Sequence, residues 1–342
     1  SADVDHDGDL DLLILSKTTT YLFSNDGTGD FSDITSSAGI PSNKVFDNVI
    51  FSDFDNDRDI DFFTLSNRKI GLYSNNRDGT FTNVAKTLNL AGEVVKYFLI
   101  EDFNQDGFMD CAILNEENQL VQLVNKNGLN FDEIQRLPNI NANSLISGDI
   151  DNDGDIDLWS FDDSEIKTIA WHTGTWKTSE VNIKLPHTSF PAVASDLNDD
   201  GRVDLWAGGA FIQNTTKQNN WVKIDLTGLN SNRDGIGTKI EVKTENRLQK
   251  RELRSNDTNG DLVFGLASSD SVEFIRILWP GGVRQTELAT EANRIVTLKE
   301  LDRKGTSCPI LYAWDGSEFR FITDILGGAI IGYQTGIGTY YS

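Results

Sequence analysis

The chain has 342 residues, 38% hydrophobic and 24% charged, with 53 acidic against 30 basic side chains and a formal net charge of −23. Such a length predicts two or three domains with real cores, and the ordinary hydrophobic content excludes a disordered chain. The acidic excess excludes a nucleic-acid binder, which needs a basic face; no run of about 18 apolar residues offers a membrane span, and two cysteines, Cys111 and Cys308, make no disulfide framework.

The charge is unevenly placed. Residues 1–216 hold 37 acids against 14 bases, and 22 of those acids fall in five short stretches. In chain order these are Asp3-Val-Asp-His-Asp-Gly-Asp-Leu-Asp11, Asp53-Phe-Asp-Asn-Asp-Arg-Asp-Ile-Asp61, Asp102-Phe-Asn-Gln-Asp-Gly-Phe-Met-Asp110, Asp149-Ile-Asp-Asn-Asp-Gly-Asp-Ile-Asp157 and Asp196-Leu-Asn-Asp-Asp-Gly-Arg-Val-Asp204. Successive starts lie 47 to 50 residues apart, a period that signals a repeat architecture.

After each loop comes a short apolar run: Leu12-Leu-Ile-Leu15, Phe62-Phe-Thr-Leu65, Cys111-Ala-Ile-Leu114, Leu158-Trp-Ser-Phe161 and Leu205-Trp206. These read as buried strands bounded by turns. Runs such as Val49-Ile-Phe51, Tyr97-Phe-Leu-Ile100 and Ala192-Val-Ala194 precede the loops, so each loop joins two strands. Each repeat then reads loop, apolar strand, short turn, second strand, Asn/Gly-rich turn and third strand, and four strands per 47 to 50 residues make a propeller blade.

Oxygen side chains at loop positions 1, 3, 5 and 9, a turn glycine at 6 and an inward carbonyl at 7 suit calcium, which takes about six to eight oxygens. The expected side-chain ligands are Asp3, Asp5, Asp7 and Asp11 in the first loop, with Asp9 giving its carbonyl. The second has Asp53, Asp55, Asp57 and Asp61 with Asp59; the third Asp102, Asn104, Asp106 and Asp110 with Phe108. Asp149, Asp151, Asp153 and Asp157 with Asp155 form the fourth, and Asp196, Asn198, Asp200 and Asp204 with Arg202 the fifth. Up to five calcium ions are expected. Arg58, standing where the turn wants glycine, weakens the second site, and Asn104 and Asn198 lower the charge of theirs. An EF-hand is excluded, because it needs a glutamate at position 12, where this chain has Ile14, Thr64, Ile113, Ser160 and Ala207. A solvated acidic turn explains one such loop; five in phase argue for cation sites.

The loops, with Leu72-Tyr-Ser-Asn-Asn-Arg-Asp-Gly-Thr-Phe81 and Tyr21-Leu-Phe-Ser-Asn-Asp-Gly-Thr-Gly-Asp-Phe31, resemble FG-GAP/VCBS repeats. The resemblance covers about residues 1–215 and implies a calcium-binding, integrin-alpha-like β-propeller. Five repeats are fewer than propellers commonly have, and the chain opens directly on a loop, so a partial propeller and a fragment are expected.

Beyond the polar stretch 214–220, alternating strands such as Trp221-Val-Lys-Ile-Asp-Leu226 and Val272-Glu-Phe-Ile-Arg-Ile-Leu278 predict a small antiparallel sandwich. Ser231-Asn-Arg-Asp-Gly-Ile-Gly-Thr-Lys-Ile240 and Ile275-Arg-Ile-Leu-Trp-Pro-Gly-Gly282 resemble the ASPIC/UnbV domain of the cartilage acidic protein family. The expected fold is therefore all-β: a calcium-binding β-propeller over 1–215, a β-sandwich-like ASPIC/UnbV domain over 216–304, and a truncated segment over 305–342.

Catalytic motifs are missing from the sequence: no nucleophile elbow, phosphate loop or zinc spacing occurs. His6, between two ligands, reads as a solvent-facing residue, and Trp159 and Trp206, at equivalent positions, read as core. The expected protein is a non-enzymatic calcium-binding module for adhesion, recognition or scaffolding, extracellular, periplasmic or at the cell surface. Its expected partner is a protein or carbohydrate. The alternative is a calcium-dependent enzyme or binder acting on extracellular polysaccharide.

Overall fold

The computed structural model describes residues 1–41, 44–90, 92–162, 165–172, 175–184, 192–216, 219–255, 261–302, 310–314, 319–324, 334–336 and 339–340. The regular elements among them are strands. The first sheet holds β1 (Leu12–Leu15), β2 (Thr20–Asn25) and β3 (Phe31–Asp33) in that order. Next come two four-stranded sheets: β4 (Asn48–Ser52), β5 (Asp61–Ser66), β6 (Lys69–Asn75) and β7 (Phe81–Asn83); then β8 (Val95–Glu101), β9 (Asp110–Asn115), β10 (Leu120–Asn125) and β11 (Phe131–Leu137). A fourth sheet has β12 (Ser144–Gly148), β13 (Asp157–Phe161), β14 (Glu165–His172) and β15 (Thr175–Lys184), and a fifth β16 (Val193–Ser195), β17 (Asp204–Ala207) and β18 (Ala210–Ile212).

Each sheet is an antiparallel meander in chain order, the unit of a propeller blade. The acidic loops join the first strand of a blade to its second, as between β4 and β5. In the first repeat the bridge from Ala2 to Asp11 takes the corresponding place.

The apolar runs are continuous because the inner blades are covered on both faces. Successive strand residues point to opposite faces. Phe62 accordingly enters the core shared with the first blade, where it stacks on Tyr73 with ring centroids 4.9 Å apart. Its neighbour Phe63 enters the core shared with the third blade and meets Phe131 edge-on. Burying one such ring stabilises the fold by about 1.5–3 kcal/mol. Phe81 and Phe131, each packed in a core between two described blades, are buried, while their counterpart Phe31, in the first described blade, is 44% exposed. One expectation is corrected: Trp159 is buried in the core between the fourth and fifth blades, but Trp206, on the fifth blade, has no further blade packed on it among the described residues and is 48% exposed.

The sandwich comprises β19 (Asn220–Thr227), β20 (Lys239–Lys243), β21 (Leu248–Glu252), β22 (Asp261–Ala267), β23 (Ser271–Leu278), β24 (Arg284–Glu291) and β25 (Arg294–Lys299). Its sheets run β22-β19-β25 and β21-β20-β23-β24, closing over a core that includes Val222, Ile240, Phe264, Ile275 and Trp279. It is not wholly antiparallel. The chain crosses from β24 into the other sheet, which sets β25 parallel to β19. Residues Ser1–Glu300 form one compact unit and Leu301–Ser342 another, where β26 (Ile310–Trp314) pairs with β27 (Phe319–Asp324) and β28 (Gln334–Gly336) with β29 (Thr339–Tyr340). Among the described residues, no helix is long and apolar enough to cross a membrane.

Candidate metal centres

Each acidic loop is folded by its own first and last aspartates. At position 1, Asp53 accepts the backbone N–H groups of Asp57 at 3.1 Å and Arg58 at 2.8 Å. Asp102 and Asp196 do the same in their loops, and Asp3 and Asp149 each accept the N–H of the turn glycine. At position 9, Asp11, Asp61 and Asp157 accept an N–H from position 2, and Asp110 accepts the Asn104 N–H at 3.3 Å. The turn at position 6 is left-handed in every loop, with φ of 97° at Gly8, 89° at Gly107, 94° at Gly154, 80° at Gly201 and 85° at Arg58.

These bonds leave oxygens over. Among the described residues, Asp3 Oδ1, Asp149 Oδ1 and Asp204 Oδ2 are buried with no hydrogen-bond partner. Carboxylate oxygens of Asp3, Asp5 and Asp11 lie within 4.8 Å of one another, as do those of Asp53, Asp55 and Asp57, and those of Asp149, Asp151 and Asp157. Such orphaned, converging anions cost several kcal/mol without a counter-charge. Burial, the chief cause in each case, pushes the carboxyls of Asp61 and Asp110 up to about 8, and those of Asp102 and Asp149 to about 7. A hard cation would hold them ionised. The donor set fits one.

The third and fifth loops differ. Asn104 and Asn198 turn their amide nitrogens onto Asp106 and Asp200, at 2.9 and 3.1 Å, and Arg202 grips Asp200 at 2.6 Å. At position 7 the side chains face away to other partners: Asp155 meets Arg247 at 2.7 Å, while Asp59 meets Arg77 and, at 2.8 Å, His6. Asp7, Asp9 and Asp153 line the exposed or half-buried mouths of their loops, as does Phe108.

Two further sets of residues were not singled out from the sequence. Position 4 carries a side chain that reaches the next loop: Asn56 donates to the Gly107 carbonyl at 2.9 Å, Gln105 to Gly154 at 2.6 Å and Asn152 to Gly201 at 2.8 Å. His6, bonded to Asp59, belongs to this series and is not simply solvent-facing. The recurrence of a polar residue at loop position 4 is the signal the sequence carries, and in the structure each of these residues stands at positive φ. The second set is Asn75, Asn125 and Asn214. Their amides donate to Val4, Phe54 and Ile150 at 2.9, 2.7 and 2.6 Å, tying one blade to the loop of the blade before it.

The sandwich docks on the loops. Lys239 donates to Asp53, the Gly265 N–H to Asp149 at 3.1 Å, and Lys223 lies 3.6 Å from Asp196 and 2.7 Å from Asp199. Lys250 donates to Asn56 and to the Gly107 carbonyl.

The FG-GAP-like repeat model matches residues 3–64, 53–113, 102–160 and 149–207, together more than half of the chain, and the ASPIC and UnbV model matches 228–305. No curated protein matches. Among solved structures, a lectin from Agrocybe aegerita that recognises non-reducing terminal N-acetylglucosamine is 18% identical with a TM-score of 0.41, the match covering 60% of this chain and 58% of that one. AofleA from Arthrobotrys oligospora is 12% identical with a TM-score of 0.37, covering 83% and 84%. The six-bladed, fucose-recognising lectin of Aleuria aurantia is 11% identical with a TM-score of 0.30, covering 68% and 91%. With four overlapping repeat matches on its acidic loops and blades, this chain belongs to the FG-GAP-like repeat family and carries an ASPIC/UnbV domain.

Proposed function

We propose that this chain is a calcium-stabilised recognition module acting outside the cytoplasm on a protein or carbohydrate, with no catalytic role for its metal loops. The observation that carries the reading is the set of buried, unpartnered carboxylate oxygens at Asp3 and Asp149, each with two more aspartates converging on it. Asp3, Asp5, Asp7 and Asp11, and Asp149, Asp151, Asp153 and Asp157, would hold the two strongest ions. Asp53, Asp55, Asp57 and Asp61 would hold a weaker one, because Lys239 already neutralises Asp53 and Arg58 replaces the turn glycine. The loops built around Asp102, Asn104, Asp106 and Asp110 and around Asp196, Asn198, Asp200 and Asp204 are weaker still.

A bound ion would supply positive charge where blade and sandwich meet. The residues do the rest: position 4 side chains lock loop to loop, and the asparagines lock loop to blade. Affinity of this class in extracellular modules is on the order of 10⁻⁴–10⁻³ M, suited to calcium outside cells. Committed to an ion, the carboxylates are poor general acids, which disfavours the polysaccharide-cleaving alternative. Calorimetric titration with calcium tests the reading. Two stronger equivalents followed by weaker ones are expected, and Asp149→Asn should remove one of the stronger pair. Absence of calcium heat, or an unchanged stoichiometry in the variant, would contradict it.

A further inference from the structure

Arg58 is an anomaly in its own repeat. Four loops place glycine at the left-handed position 6, and the second places an arginine there at φ 85°. A side chain at that backbone geometry is strained, and strain of this kind persists where it serves something. The guanidinium is exposed and has no hydrogen bond or ion pair among the described residues. It lines a cleft of about 710 Å³ between the second and third acidic loops and the outer face of the sandwich sheet.

That face is basic by register. On β20 and β23, Ile240, Val242, Ile275 and Ile277 turn inward to the core, so the alternate residues turn out. Glu241 pairs across the strands with Lys250 on one side and Arg276 on the other, and Leu278 pairs with Arg284. The cleft thus gathers Arg58, Lys239, Lys250, Arg276 and Arg284 against three acids, Asp102, Asp106 and Glu241. Five cations against three anions is the reverse of a chain whose net charge is −23. Lys239 is spent on Asp53 and Arg276 on Glu241, while among the described residues Lys250 bonds to the neutral oxygens of Asn56 and Gly107 and Arg58 to none.

We infer that this cleft between the Arg58 loop and the outer face of β20, β21, β23 and β24 binds a saccharide bearing carboxylate or sulfate groups. A concave site of this volume suits a small ligand rather than a flat protein face. The arginine fork matches planar carboxylate and tetrahedral sulfate alike. Phe108, Leu248 and Leu278 line the same cleft and offer apolar surface to the carbon face of a sugar ring. The assignment rests on the recognition-module reading above and gives it a site and a ligand class.

The test is calorimetric binding to the full chain at fixed free calcium, using a uronate oligosaccharide, a sulfated oligosaccharide, a neutral oligosaccharide of the same length and inorganic sulfate. One or both acidic saccharides should bind, more weakly as salt rises, and the neutral one should not. Arg58→Gly restores the glycine of the other loops, so its unfolding midpoint should hold or rise while binding falls about tenfold. Arg276→Ala should weaken binding in the same sense. Equal binding of the neutral saccharide, sulfate alone binding as tightly, no binding of either acidic saccharide, or full affinity in Arg58→Gly would each overturn the site. A calcium titration of the same preparation reports separately on the metal loops, so failure of one reading is distinguishable from failure of the other.

Discussion

The ammonium of Lys239, on β20 of the sandwich, donates to the carboxylate of Asp53, the first residue of the second acidic loop, and both side chains are buried. Lys223 repeats the relationship at the fifth loop, 3.6 Å from Asp196. Two of the loops therefore carry a cation from the neighbouring domain at the position a metal would neutralise. Removing one partner of a buried pair leaves an uncompensated charge. Lys239→Met should cost the metal-free protein about 3 kcal/mol, less in millimolar calcium, and should raise calcium affinity at the second loop. Urea unfolding in chelator and in calcium, with a titration of each protein, checks this; an equal loss in both conditions would show that Lys239 does not stand in for a metal.

The asparagine ties predict a graded series. Asn125 is buried, and its amide reaches Phe54 at 2.7 Å and Met109 at 3.2 Å. Asn125→Ala removes the partner of two carbonyls and of the Gly128 N–H and should cost about 2 kcal/mol. In Asn25, the counterpart in the first blade, the side-chain amide donates to Leu10 at 3.3 Å and accepts the Gly27 N–H at 3.2 Å, both within its own repeat. Asn25→Ala should cost clearly less, and denaturant midpoints of the two variants give the comparison.

Much of this was legible in the sequence because it is local. A nine-residue loop pattern repeated in phase fixes the turn, and a strand of alternating or continuous apolar residues fixes which faces are covered. The five blades and the two sheets of the sandwich follow. What joins them is not local: nothing near Lys239 in the chain marks Asp53 as its partner 186 positions away. His6 reads as a solvent-facing turn residue until the next loop is placed beside it, and Trp206 reads as core by its equivalence to Trp159, although only Trp159 lies between two described blades. The parallel pairing of β25 with β19 depends on a crossover that alternation cannot encode.

Metal-free stability should depend on pH in a direction opposite to ordinary acid denaturation. Asp61 and Asp110 are raised to about 8 and Asp102 and Asp149 to about 7, chiefly by burial, against about 3.9 in an unfolded chain. Between those values the folded state binds more protons than the unfolded state, so stability falls as pH rises from about 4 towards 8. Calcium requires the ionised form and should offset that loss at neutral pH. Unfolding midpoints measured across this range in chelator and in calcium should diverge as pH rises; parallel curves would remove the loop carboxylates from the explanation.

The most direct measurement is thermal unfolding of the whole chain in millimolar calcium, in excess EGTA and in millimolar magnesium. Linkage adds about 1.4 kcal/mol for each site at roughly tenfold saturation. A higher midpoint in calcium than in either of the other conditions is the predicted result. Coincident midpoints in all three would mean that the aspartate loops are held by their own N–H groups and by the sandwich lysines alone, and the calcium-stabilised reading would be contradicted.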